Sequence, residues 1–166
     1  MISMQAQWNK AITEGKANWG KIFRSVRKVF KENKLREFHF KFIHRVVVTK
    51  KELFRFNIKP DSNWVYYGES DSIDHTFIEC QFTKSFTQEV LQWFNVNNSS
   101  NLILNDEDVL FGFFSASNTR TKKLNYTLLF LHYHIYKCKL QNSSPPLQII
   151  DFINKIKYKY KIEKIN

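Results

Sequence analysis

Glycine and proline are scarce in this 166-residue chain, which contains only four of the first and three of the second. Folds rich in tight turns depend on both residues, so their scarcity argues against a turn-rich all-β fold and favours helices. The chain also has no run of 18 apolar residues, and its first residues lack the apolar stretch of a secretory signal. We therefore expect an intracellular protein of the nucleus or cytoplasm, neither secreted nor inserted in a membrane.

Cysteine is equally rare, because Cys80 and Cys138 are the only two in the sequence. Two cysteines are too few for a disulfide framework, which indicates a reducing compartment. The bulk of a core must come from other side chains, and 16 Phe, 7 Tyr and 4 Trp supply it. Aromatic side chains bury more area than aliphatic ones, so a chain of this length can form one compact domain.

The net charge of +11 is distributed unevenly along the chain. Residues 1–60 hold 15 Lys and Arg against 4 Asp and Glu, residues 61–118 hold 1 against 9, and residues 119–166 hold 10 against 2. Two basic flanks therefore surround an acidic middle. A polyanion such as nucleic acid would contact the flanks. Alternatively, the acidic middle folds against the flanks and neutralises them, and the pattern alone favours neither interpretation.

Apolar spacing predicts a mostly α-helical protein, with residues 1–18 loosely ordered and residues 19–166 forming a single helical domain. Helices are predicted over 19–31, 34–48, 50–56, from Ile73, from Thr83, over 106–111, 122–140 and from about Leu147, with an irregular loop at 57–72. Residues 155–162 alternate with a period of two, which is typical of a strand. No other segment could pair with such a strand, so we expect a helix that frays to coil.

One helix carries the candidate phosphate contacts. On the predicted helix 34–48, Lys34, Lys41 and Arg45 fall nearly in line, opposite an apolar face. The neighbouring basic residues are Arg36, Lys50 and Lys51. Such a stripe can contact phosphates without reading base sequence. The alternative is the solvated face of an ordinary helix.

Two potential metal ligands, His75 and Cys80, are separated by four residues. This His-x4-Cys spacing is that of the second half of a CCHC zinc knuckle, although a pair this close is more often a packing feature. The other histidines are His39, His44, His132 and His134. We expect them to be core or solvated side chains rather than substitute ligands.

Four segments carry a family resemblance: KLREFHFKFIHR at 34–45, IDHTFIEC at 73–80, VLQWF at 90–94 and IYKCKL at 135–140. In this order and spacing they resemble the C-terminal zinc-knuckle region of LINE-type, non-LTR retrotransposon reverse transcriptases, over about residues 19–164. The resemblance implies a small helical domain with a reverse transcriptase zinc-binding knuckle at 60–82. It also implies a role in gripping RNA or DNA near a polymerase.

The knuckle of that family has the pattern Cys-x2-Cys-x7-His-x4-Cys, and this chain departs from it. Trp64 and Tyr67 occupy the first two ligand positions, while His75 and Cys80 stay in register as vestigial ligands. A structural zinc site needs four ligands, so we expect no zinc and no other cofactor. We expect Trp64 and Tyr67 to pack over His75 as an aromatic plug instead.

Sequence motifs for catalysis are also lacking. The chain has no GxSxG, no P-loop, no HExxH and no Asp-Asp pair for polymerase magnesium ions. In the resembled family the polymerase and endonuclease lie upstream of this region. The sequence therefore predicts a non-catalytic accessory region that binds RNA or DNA non-specifically and takes no small-molecule substrate. The alternatives are a degenerate retroelement remnant without selected function and a domesticated protein-interaction module, and the oligomeric state stays open.

Overall fold

The computed structural model of the chain describes residues 3–12, 17–59, 71–113, 118–141 and 147–165. Over these residues the protein is mostly helical and contains no strand, which confirms the predicted fold class. The elements are α1 Met4–Ala11, α2 Trp19–Ser25, α3 Asn33–Ile43, α4 Lys50–Arg55, a π-helical turn His75–Glu79, α5 Gln81–Asn97, α6 Asp106–Phe111, α7 Thr119–Gln141 and α8 Ile149–Glu163. None of the described helices is long and apolar enough to span a membrane.

Helix α7 is the axis of the fold. Its residues 124–135 are buried with the single exception of Tyr133. A helix that is buried on nearly every side must be surrounded by other elements. Helices α3, α5, α6 and α8 and the π-helical turn all contact it.

Two main clusters of apolar side chains form around α7. The larger joins α5, α7 and α8 through residues that include Phe86, Leu131, Phe152 and Ile156. The second joins α1, α3, α6 and the π-helical turn through Trp8, Phe42, Phe77 and Phe111. The π-helical turn therefore belongs to the second cluster.

The expectation that residues 1–18 are loosely ordered is wrong for residues 3–12. They form α1, and its Trp8 is fully buried. The Trp8 indole N–H donates a hydrogen bond to the carbonyl oxygen of Ile43 at 2.8 Å. A single buried tryptophan with a satisfied N–H docks this helix onto the end of α3.

Helix α3 ends five residues earlier than predicted. Arg45 adopts a left-handed backbone with φ 57°. The N–H of Val46 donates to the carbonyl of Lys41 at 2.9 Å, and the N–H of Arg45 donates to that of Phe42 at 3.0 Å. These two bonds define a Schellman termination, which normally has glycine in the left-handed position. Because arginine occupies it here, the sequence carries no visible stop signal.

Helix α8 continues to Glu163, so the predicted fraying of residues 155–162 is also wrong. Phe152, Ile156 and Tyr160 are buried at intervals of four residues, which is the spacing of a helix face. The period-two pattern of lysines does not produce a strand or a frayed end here, because the face with Phe152, Ile156 and Tyr160 packs into the larger cluster. Helix α2, in contrast, stops at Ser25 rather than at residue 31.

Candidate nucleic-acid interface

The segment that resembles a knuckle is folded into the interior. The N–H of Cys80 donates to the carbonyl oxygen of His75 at 3.0 Å, closing one π-helical turn. The hydroxyl of Ser72 accepts a hydrogen bond from the N–H of His75 at 3.1 Å. His75 is 7 % exposed and Cys80 is 1 % exposed. Trp64 and Tyr67 lie outside the described residues, and the predicted aromatic plug falls there too.

The residues present do not fit a structural zinc site. Such a site takes four Cys, His or carboxylate ligands, and two of the four register positions hold Trp64 and Tyr67. Within the described parts of the chain, no three His, Cys, Asp or Glu side chains gather closely enough to hold a metal ion. Three other histidines, His39, His132 and His134, are core residues, at 1 %, 2 % and 3 % exposed. Their place in the core agrees with the sequence prediction.

A buried polar network holds the π-helical turn against its neighbouring helices. The ammonium of Lys139 lies 3.7 Å from a carboxylate oxygen of Asp71 and 3.5 Å from the carbonyl oxygen of Thr76. The hydroxyl of Thr76 donates to Asp71, and that of Thr83 donates to the Thr76 carbonyl at 2.9 Å. Asp71 is 2 % exposed, and Thr76 and Lys139 are each 1 % exposed. A buried charge requires a partner, so these contacts tie the turn to α7 and α5.

Arg45, predicted as a phosphate contact, is engaged inside the protein. Its guanidinium lies 2.8 Å from Asp74 and 4.4 Å from the centre of the Trp8 ring, and its side chain is only 11 % exposed. The reason is the early end of α3, because Arg45 no longer continues the face that carries Lys34 and Lys41. Lys50, also predicted as a phosphate contact, is 2 % exposed. Both predictions are corrected, since neither side chain is available at the surface.

The other four predicted contacts divide into two kinds. Arg36 is half-buried, and its Nε donates to the carbonyl oxygen of Phe30 at 2.5 Å. It therefore stabilises the turn before α3. Lys34 and Lys41 on α3 and Lys51 on α4 are exposed. These three remain accessible to a phosphate.

Lys34 and Lys41 line a groove of about 200 Å³ between α3, residues 46–48 and α7. The sequence analysis missed a third lysine of this groove, Lys137, which α7 supplies. The ammonium groups of Lys34 and Lys137 lie 6.0 Å and 5.8 Å from the centre of the Tyr133 ring. Two segments far apart in sequence thus place two cations around one aromatic ring. The one sequence signal for Lys137 is its spacing of four residues from Tyr133, which places both side chains on the same face of a helix.

A second tyrosine of the groove, Tyr136, is hydrogen-bonded to the segment that follows α3. Its hydroxyl donates to the carbonyl oxygen of Val48 at 2.8 Å. Burial raises the pKa of the Tyr136 phenol, and the carboxylate of Asp71 raises it further. The hydroxyl therefore stays protonated and keeps the backbone of Val48 fixed against α7.

One carboxylate, Glu37, is among the described residues that line the groove. Its Oε1 lies 2.6 Å from the ammonium of Lys41, one helical turn away. The hydrogen bond and the charge of Lys41 lower the pKa of Glu37, so the carboxylate is ionised and offsets Lys41. The excess positive charge of the groove therefore comes from Lys34 and Lys137.

A second basic surface arises where the two flanks meet. The carboxylate of Glu163, at the end of α8, accepts hydrogen bonds from the backbone N–H groups of Lys31 and Glu32, each at 2.9 Å. The ammonium of Lys159 lies 2.6 Å from Glu32. These contacts bring residues 27–31 beside the end of α8. The exposed basic side chains there are Arg27, Lys28, Lys31, Lys161 and Lys164.

The acidic middle of the chain folds against the basic flanks in part. Two carboxylates of the acidic middle, Asp71 and Asp74, contact the flank cations Lys139 and Arg45. Other flank lysines stay at the surface. Comparison of the chain with protein-family models, curated proteins and solved structures finds no match.

Proposed function

We propose that this chain binds RNA or DNA non-catalytically and largely without regard to base sequence. The observation that carries the proposal is the groove in which Lys34 and Lys137 approach the Tyr133 ring from two different helices. Cations beside an aromatic ring suit a ligand that offers both phosphates and base faces. The surface formed by residues 27–31 and the end of α8 offers further phosphate contacts.

The resemblance of four ordered segments to the C-terminal region of LINE-type reverse transcriptases supports the same class of function. In our proposal the chain is a derivative of such a region that works without zinc. Its π-helical turn is held by Asp71, Thr76 and Lys139 instead. The absence of polymerase and nuclease motifs from the sequence supports an accessory rather than a catalytic role.

Binding measured against salt concentration tests the proposal. The double variant Lys34→Glu and Lys137→Glu should weaken binding of a labelled oligonucleotide. It should also reduce the slope of log K against log salt by about 1.4, because each lost phosphate contact removes about 0.7 for a single strand. Lys10→Glu with Lys84→Glu is the matched control, since it makes the same change of charge at two exposed positions that do not line the groove. Wild-type protein that binds no oligonucleotide at low salt contradicts the proposal.

A second candidate function, protein interaction, is favoured by one group of exposed apolar side chains. Phe54, Phe56 and Ile58, at the end of α4 and just after it, are 47 %, 58 % and 65 % exposed. Exposed apolar patches commonly mark interaction surfaces. Replacement of all three by serine should leave oligonucleotide binding unchanged if nucleic acid is the ligand of the groove.

A further inference from the structure

We infer that the groove between α3 and α7 selects single-stranded over double-stranded nucleic acid by stacking an unpaired base on Tyr133. This inference rests on the proposed function and goes beyond it by naming the form of the ligand. It arises from the size of the groove, the position of the ring and the distribution of charge around it.

The size of the groove limits what can enter. Its volume of about 200 Å³ is below the range of about 300–1,000 Å³ that is usual for small-molecule pockets. One planar ring can enter such a space, whereas a duplex cannot. A duplex could therefore contact only the lysines at the rim.

The walls of the groove suit a planar ring. Tyr133 is the one residue between positions 124 and 135 of α7 that is not buried. Its ring contacts Phe38 edge-to-face, with centres 5.3 Å apart, and Phe130, with centres 6.0 Å apart. Val46 and Val48 line the same groove and are 56 % and 42 % exposed. An unpaired base could contact both the tyrosine ring and these apolar side chains, whereas a base in a duplex is already stacked on its neighbours.

The charges set where the phosphates lie. The ammonium groups of Lys34 and Lys137 lie over the Tyr133 ring, 6.0 Å and 5.8 Å from its centre, whereas Lys41 is offset by Glu37. Lys34 and Lys41 are seven residues apart on α3, a distance of about 10.5 Å along the helix axis. In this inference the phosphates next to the stacked base bind to Lys34 and Lys137 rather than to Lys41.

Binding of a labelled 20-nucleotide oligo(dT) and of a 20-base-pair duplex, each measured over a range of salt concentrations, tests the inference. The wild type should bind the single strand more tightly than the duplex. Tyr133→Leu should weaken single-strand binding about tenfold and duplex binding less than twofold, whereas Tyr133→Phe should retain both. Tyr158→Leu is the control, because Tyr158 is 63 % exposed on α8 and does not line the groove.

A second measurement does not depend on whether the leucine variant folds. Wild-type protein is irradiated with an oligonucleotide that contains 5-iododeoxyuridine, and the adduct is mapped by peptide mass spectrometry. An adduct on Tyr133 is expected. Adducts only outside the groove, equal binding of single strand and duplex, or an unchanged affinity of a folded Tyr133→Leu variant would each overturn the inference while leaving nucleic-acid binding intact. Failure of the wild type to bind either probe at low salt would overturn the proposed function as well.

Discussion

Two buried carboxylates, Asp71 and Glu163, join distant parts of this chain in different ways. Asp71 faces the ammonium of Lys139 and the hydroxyl of Thr76, and it fixes the π-helical turn to α7. Glu163 accepts two backbone N–H groups at the start of α3, more than 130 residues earlier in the chain, and it fixes α8 to α3. Asp71 is 2 % exposed and Glu163 is 3 % exposed, so burial does not distinguish them.

The difference lies in what replaces water around each charge. The partner of Asp71 is itself a buried ion, so removal of either member leaves an uncompensated charge in the interior. The partners of Glu163 are neutral backbone N–H groups, those of Glu32, the N-cap residue of α3, and of Lys31 before it. Glu32, the N-cap residue of α3, makes no side-chain capping bond of its own. Glu163 therefore binds the N–H groups immediately before the first turn of α3, where the positive end of the helix dipole favours its negative charge.

The largest expected effect comes from acid, and it sets the pH range in which the two carboxylates can be compared. Burial lowers the pKa of His39 to about 3 and that of His132 to about 4, so both are neutral in the folded protein. In the unfolded chain each takes up a proton near pH 6.5, so the free energy of unfolding falls as the pH drops below 6.5. At pH 4 the loss is about 3 kcal/mol for each histidine.

Urea denaturation at pH 7, 5.5 and 4.5 measures this loss. His39→Leu should reduce the dependence of stability on pH by up to about 1.4 kcal/mol per unit over this range, because one titrating group is removed. Both ring nitrogens of His39 are buried without a hydrogen-bond partner, so leucine loses no such bond. If stability depends on pH in His39→Leu as steeply as in the wild type, His39 is not the neutral buried group described above.

Lys139→Met should remove the ion pair through which Asp71 fixes the π-helical turn to α7. It leaves the Asp71 carboxylate buried without its cation, and we expect a loss of about 3–5 kcal/mol at pH 7 in urea denaturation. The double variant Asp71→Asn with Lys139→Met should recover a large part of that loss, because no charge remains buried. Lys137→Met, two residues away and half-exposed, is the control and should change stability by less than about 0.5 kcal/mol. A Lys139→Met variant within 1 kcal/mol of the wild type would show that the pair does not hold the turn.

Glu163→Gln should have a smaller effect than Lys139→Met. Glutamine keeps one acceptor oxygen but loses the charge, so the bonds to Lys31 and Glu32 weaken and no ion is left buried. We expect a loss of about 1–2 kcal/mol in the same assay, with faster amide exchange at the start of α3. Glu79→Gln, at an exposed carboxylate, serves as the control. A loss as large as that of Lys139→Met would remove the distinction between the two carboxylates.

Asp74→Asn should have the smallest effect and extends the comparison to a partly exposed carboxylate. Asp74 pairs with Arg45 at 2.8 Å, but its side chain is 42 % exposed, so water and salt screen the pair. We expect a loss below about 1 kcal/mol that diminishes as salt rises from 0.05 to about 1 M. A loss that is large and independent of salt would indicate that this pair behaves like a buried one.

Most of the helices could be predicted from the sequence, whereas α1 and several helix ends could not. Leu35, Phe38 and Phe42 recur at helical spacing and are all buried in α3. The end of α3 was missed because Arg45 takes the left-handed position that glycine usually marks. Lys164, with φ 56°, ends α8 in the same way. A chain with four glycines must end helices with other residues, and their sequence signal is weak.

The candidate site could be predicted only in part, for a related reason. The helical period predicted the exposed side of α3, so Lys34 and Lys41 were found. Lys50 and Lys139 are each almost fully buried, although lysine is among the residues least often found inside. Lys137 was missed because its importance depends on the packing of α7 beside α3.

By itself, the sequence determined that the described chain is helical, that aromatic side chains fill its core and that positive charge concentrates in two flanks. These properties follow from local spacing and composition, which act over one or two helical turns. Only the tertiary structure decided which cations stay at the surface and which are buried. That choice depends on contacts between residues far apart in sequence: Lys139 is buried because Asp71 is beside it, whereas Lys34 stays exposed and Lys137 half-exposed near the Tyr133 ring.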